Sequence, residues 1–523
     1  MRRLIQLVLP CVLLSGCFGP GEGVEVPQED IYFPVGLALS QGAVASPDSS
    51  IEDEGPRHLF VASSDFDLQY NGGAVQSFDL NQVVEKLPQR CVADSDCAGA
   101  EAGPHCQRGG LCAESEAATP CPNGTDRSDA DRLLFPGRCA PIEVKPTDAV
   151  KIGAFATDAI IRKRPEGEGA PARLFVPVRG DSTLHWLDVT SDGEFECGQG
   201  SSQGACDDAH RVGDKASENA RGITLNAEPF ALDADARGET IVVTNQTSGV
   251  AALFTNDWRG ANEGPKLAFE LQFSSSALRP VGVAAVPQPA SAKENENPNL
   301  PDVFLTTFRN AAQVRVFSYA PDSTNIETDP RPYLVDGGNV SIEANSVGTD
   351  SRGIAVDDSA RKAAEARCAE GDPACLDAAA LVPLDVYVAN RSPSSLLLGR
   401  TNPPYSYPYF YQAVPLTTGP SRVVVGQVKT PGGGGATETR VFVACFESRR
   451  IFVYDPQRSR IETEILTGRG PHAMAVDTQR GLLYVGHFTD SYVGVFSLDL
   501  AFPSTYGTML GTLGQPKEPR ASK

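Results

Sequence analysis

A three-part phrase of apolar and polar positions repeats along most of this chain. In its last copy, Pro471-His472-Ala473-Met474-Ala475-Val476-Asp477 leads into Gly481-Leu482-Leu483-Tyr484-Val485-Gly486-His487, then into Tyr492-Val493-Gly494-Val495-Phe496-Ser497-Leu498. Each part is short, rich in β-branched and aromatic residues, and bounded by Asp, Gly, Ser or Pro, which is a strand signal. The opening part recurs at Pro34, Pro229 and Ser351, more weakly at Pro280 and Pro420, and in degenerate form at 150–155. The second recurs at 58–62, 173–178, 240–245, 302–307, 385–390 and 440–444. The third recurs at 73–79, 182–188, 249–254, 313–318 and 450–455, with its poorest copy at 395–399. Pro229 and Pro280, like Pro420 and Pro471, stand 51 residues apart. Short strands at a period near 50 predict an all-β, seven-bladed β-propeller over residues 31–515. The Ala, Gly and Val of the opening part suit inner strands that crowd an axis. A pair of β-sandwiches would leave the fixed order of the phrases unexplained.

The best copies, Val386-Tyr387-Val388-Ala389-Asn390 and Leu483-Tyr484-Val485-Gly486-His487, resemble the repeats of YVTN-type and NHL-like β-propellers. The resemblance implies the fold and leaves the activity open, because propellers host unrelated functions. Among such seven-bladed proteins, some resemble phosphogluconolactonases, so a lactonase-like hydrolase is the enzymatic alternative.

The repeat also places the insertions. Residues 88–146 follow the third strand of the first unit and carry Cys91, Cys97, Cys106, Cys112, Cys121 and Cys139 with almost no aliphatic content. Such a segment cannot build an apolar core and needs disulfides. It resembles small Cys-rich repeats of secreted bacterial proteins, and its connectivity is open. No CxxC occurs in it, which argues against zinc. Cys197 with Cys206, and Cys368 with Cys375, each flank a polar segment and are expected to close local loops. Residues 360–380 are Ala-rich and predict a short helical hairpin. Cys445 lies in the apolar run Val441-Phe442-Val443-Ala444-Cys445 and is expected to be a buried free thiol.

Ahead of the repeat, Arg2 and Arg3 precede an apolar stretch from Leu4 to Leu14, then Leu14-Ser15-Gly16-Cys17. The stretch is about half of what a bilayer span needs. The tetrapeptide resembles the lipobox of bacterial lipoproteins, which implies a signal peptide over 1–16 and lipid on Cys17. Phe18 follows, not Asp, so the resemblance favours the outer membrane. Residues 17–30, rich in Gly, Pro and Glu, read as a tether.

A net charge of −21 argues against nucleic acid as a partner. The chain has no GxSxG, HExxH, Walker A or DxDxDG-type calcium motif, so neither metal nor cofactor is expected. In a propeller, inner-strand starts and the turns between second and third strands share one face around an axial funnel. That geometry nominates His472, Arg352 and Arg422 at strand starts, with Asn245, Asn390, Glu447 and Asp490 at turns. Turn chemistry alone explains many Asn and Asp residues there. The expectation is a noncatalytic, membrane-anchored binding scaffold whose partner is an envelope protein or glycan.

Overall fold

The computed structural model describes residues 24–40, 55–122, 126–127, 135–139, 141–165, 172–198, 204–259, 263–273, 275, 277–290, 301–321, 331–342, 350–369, 371–403, 405–431 and 436–516. Cys17, which the sequence leads one to expect as a lipid attachment site, and the glycine run 432–435 lie outside them. Seven antiparallel sheets follow one another in chain order, each built from consecutive strands. Together they are a seven-bladed propeller. Blade 7, for example, is Pro471–Asp477, Leu482–His487, Tyr492–Ser497 and Met509–Leu513, from axis to rim.

The strands read as unbroken apolar runs because both faces of every blade are covered. In the second strand of blade 6, Thr437–Cys445, the side chains of Val441 and Val443 join blade 5, while Phe442 and Ala444 join blade 7. The same alternation yields seven apolar clusters, one in each seam between neighbouring blades.

One feature recurs at every inner-strand start. Pro471 faces His487 but Met474 faces Val485, so the inner strand holds one residue more than its partner. Pro34, Pro229, Pro280, Ser351 and Pro420 begin the same bulge. Blade 2 has it as well, with Ala156 bridged to Val178 and Ile160 facing Phe175. This corrects the expectation for 150–155. Residues 150–152 belong to the outer strand of blade 1, Asp148–Ile152, paired with 73–77. The true opening of blade 2 begins at Ala156, where no proline marks it and Asp158 replaces the usual small residue.

Beyond the third strand of blade 2, two short strands, Phe195–Glu196 and Arg211–Val212, both pair with Thr183–Val189. The Cys197–Cys206 disulfide closes the loop between them. The helices Ser359–Glu365 and Pro373–Ala380 form the expected hairpin, bridged by Cys368–Cys375. In the large insertion the pairs are Cys91–Cys106, Cys97–Cys112 and Cys121–Cys139. Cys445 is buried and unpaired. Among the described residues no helix is long and apolar enough to cross a membrane.

Residues 24–30, within the expected tether, include one buried side chain, Val26. Val26 and Tyr32 bury against Ala74, and Gln76 Nε2 donates to the carbonyls of Gln28 and Asp30 at 2.9 Å each.

Candidate functional site

The bulge turns two successive residues of each inner strand toward the axis end. The second of the pair, from blade 1 to blade 7, is Gly36, Asp158, Ala231, Gly282, Gly353, Arg422 and Ala473, with Ala231 and Ala473 packed in blade seams. Five are small because neighbouring strands nearly touch: a Cβ on Gly282 would stand 2.2 Å from the Arg352 carbonyl oxygen. The other two bridge the channel. Arg422 Nη2 of blade 6 lies 2.5 Å from Asp158 Oδ1 of blade 2, with blades 7 and 1 between them. Burial raises the Asp158 pKa, and the Arg422 charge opposes that shift.

In two blades the first residue of the pair ties one blade to the next. Thr157 Oγ1 donates to the Pro229 carbonyl, and His472 Nδ1 donates to the Val35 carbonyl at 3.1 Å. His472 therefore belongs to the seam between the last blade and the first. Burial, then the positive charge of Arg422, push its pKa down to about 3, so it is neutral at physiological pH.

The remaining nominated residues are also engaged. Arg352 holds Asp350 through Nε at 2.5 Å and Nη2 at 3.0 Å. Glu447 pairs with Arg391. Buried Asp490 accepts from the backbone N and the Nε of Arg469 at 2.8 and 2.7 Å. Asn245 and Asn390, expected at turns, are buried near the ends of second strands, where their Nδ2 groups donate to the carbonyls of Asn226 and Pro393, each at 2.7 Å. The structure thus brings Arg352 and Arg391 together with Arg309, and burial followed by the charges of Arg352 and Arg309 lowers the Arg391 pKa. It separates Asn245 from them by placing it in blade 3.

What surrounds the axial mouth is aromatic, and none of it was nominated from sequence. Phe33 and Phe66 of blade 1, Phe155 of blade 2, Phe446 of blade 6 and Phe488 of blade 7 form one connected ring cluster. Their centroid distances run from 5.1 Å for Phe33 and Phe488 to 6.2 Å for Phe446 and Phe488. Phe66 is 51% exposed and neighbouring Leu68 62%. Phe33, Asp65, Leu68 and Phe155 all have positive φ, between 43° and 61°. Each costs about 1–3 kcal/mol in a non-glycine residue, strain that clusters at functional surfaces. A signal did exist: a phenylalanine directly follows the second phrase in both Cys445-Phe446 and His487-Phe488.

A second aromatic surface lies on the flank. The outer strand of blade 5, Tyr405–Pro415, carries no charge and exposes Tyr407, Tyr409 and Tyr411. Tyr407 Oη donates to the Gly337 carbonyl of blade 4 at 2.6 Å. Tyr409 and Tyr411 stand 6.2 Å apart, and Arg400, opposite Tyr409, pairs with Asp385 at 2.7 Å. The alternating tyrosines of YSYPYFY were legible in the sequence as a period-two stripe.

No protein-family model matches this chain, and no curated protein matches it. Solved structures do. A periplasmic gluconolactonase of Pseudomonas aeruginosa aligns over 84% of this chain and 86% of its own at 13% identity, with a TM-score of 0.44. A functionally unknown protein of Desulfotomaculum acetoxidans aligns over 72% and 92% at 14% identity, with a TM-score of 0.44. Sqt1 of Saccharomyces cerevisiae aligns over 94% and 89% at 6% identity, with a TM-score of 0.45. The fold assignment rests on this chain's own strand order.

Proposed function

We propose that this chain is a noncatalytic, lipid-anchored propeller of the cell envelope, held in the outer membrane through Cys17, that takes a partner protein or glycan on its tyrosine-bearing flank. One observation carries the reading. The nominated groups His472, Arg352, Arg422, Glu447 and Asp490 are engaged in contacts within the chain, while the flank exposes tyrosines. A lactonase-like hydrolase needs a free acid–base pair in its funnel. Here His472 is neutral and donates to Val35, and Asp158 and Glu447 each face an arginine. Tyrosine offers an apolar ring with a polar tip, the side chain that recurs in protein interfaces.

Two measurements test this. Cys17→Ser should leave the membrane fraction or persist as an uncleaved precursor, and wild-type fractionation and migration would refute the anchor. Pull-down from solubilised envelope should capture a partner with the wild-type chain and lose it with Tyr409→Ser/Tyr411→Ser at unchanged melting temperature. Equal capture by that variant, or turnover of a sugar lactone by the purified protein, would overturn the reading.

A further inference from the structure

We infer that the axial mouth rests on the membrane, with Phe66 and Leu68 entering the interfacial layer of the leaflet that holds the anchor. The inference goes beyond the flank reading and rests on the lipid on Cys17. Exposed apolar side chains gather where the described chain begins. Val24 is exposed, bridges in parallel to Tyr70, and accepts from the backbone N of Asn71. Tyr70 belongs to the same turn as Phe66 and Leu68, between the second and third strands of blade 1. Only residues 18–23 separate Cys17 from Val24. At about 3.3–3.6 Å per residue even a straight chain limits that gap to roughly 25 Å. A lipid on Cys17 therefore keeps this turn near the headgroups.

The composition of the mouth fits the same occupant. Phe and Leu are side chains of interfacial membrane contacts. Arg309, Arg352 and Arg391 are also grouped on this face, Arg352 paired with Asp350 and Arg391 with Glu447. Left-handed backbone at Phe33, Leu68 and Phe155 lies on the same surface. With the mouth on the membrane, the tyrosine strand on the rim stays open to a partner.

The experiment uses the lipidated full chain in vesicles of phosphatidylethanolamine and phosphatidylglycerol. A polarity-sensitive fluorophore is placed at Phe66→Cys or, on the opposite face, at Arg237→Cys. Arg237 is exposed in the turn between the first two strands of blade 3. Cys445 is buried and does not compete for label. Lipids carrying a headgroup-depth quencher should quench the label at 66 roughly threefold more than the label at 237. Equal quenching at both, with the protein in the vesicle fraction, overturns the inference and leaves the anchor standing. Failure to recover protein with vesicles, with no lipid on Cys17, overturns both. Photo-crosslinking from position 66 to a protein in whole envelopes, in place of lipid, overturns the inference alone.

Discussion

His472 shows how far a single residue can be read from sequence. Its position in the opening phrase is legible, and so is the face it occupies. Its partner is not, because the Val35 carbonyl lies in another blade, more than four hundred residues away. Losing the bond leaves a buried carbonyl unsatisfied, at a cost of about 1–3 kcal/mol. His472→Ala should lower the melting temperature. The contribution should also depend on pH. The folded pKa is about 3, below the ordinary 6.5, because burial and Arg422 disfavour the cation. Between those values the unfolded chain binds a proton that the folded chain refuses. The stability His472 confers is therefore full above pH 6.5 and declines as pH falls, by about 1.4 kcal/mol per unit. Asp65 and Asp302 oppose this, since burial lifts each to about 6 and acid then favours the fold. The comparison of wild type with His472→Gln isolates the histidine. The stability gap between them should narrow from pH 6.5 toward 4, and a constant gap would show that the imidazole is not held neutral.

At the scale of the strand, periodicity predicts well wherever both faces are apolar. Every second and third strand lies where the phrases put it, because alternate side chains fill two seams at once. The failure at 150–155 has a local cause. Outer and inner strands share a β-branched composition, so only proline and small residues distinguish an opening, and Ala156-Thr157-Asp158 supplies no proline. The bulge is equally silent in the sequence, although it sets the channel. Gly282 tests it directly. Its backbone N donates to the Thr307 hydroxyl oxygen at 3.1 Å, and that hydroxyl donates to the Arg352 carbonyl at 2.5 Å. A methyl group there meets the Arg352 oxygen and Thr307 Oγ1 at once. Gly282→Ala should cost about 1–3 kcal/mol by overpacking. Gly109→Ala, where an added Cβ has nothing within 4 Å, is the control and should be near neutral. Equal effects, measured by chemical denaturation, would mean that the close approach of blades 4 and 5 is not limiting.

A propeller is a ring, and a ring must hold its first blade to its last. Here each blade is contiguous in sequence, so no strand is exchanged across the closing seam. The Cys-rich insertion spans it instead. It leaves blade 1 after Gly73–Asp79 and crosses to blade 7. Arg90 donates to the carbonyls of Gly481 and Arg480 at 3.1 and 2.9 Å and lies over the Phe502 ring. Ile142 bridges Leu513 in parallel, its N donating to the Thr512 carbonyl at 2.9 Å. Leu87 and Ile142 share a cluster with Leu510, Leu513 and Tyr484, and Phe135 packs on Tyr492. The segment's need for disulfides is legible from its composition, but its docking on blade 7 is not, since that requires the ring to close first. Sequence alone suggests that reduction would unfold the insertion and spare the propeller. The contacts predict that the seam opens with it. Cys121→Ser/Cys139→Ser should lower the melting temperature by at least about 3 °C. It should also speed amide exchange in blades 1 and 7 ahead of blades 3–5. Cys368→Ser/Cys375→Ser, which frees only the hairpin on blade 5, should leave that seam protected. If both variants exchanged alike in blades 1 and 7, closure would rest on the blades themselves and the insertion would be an ornament on the ring.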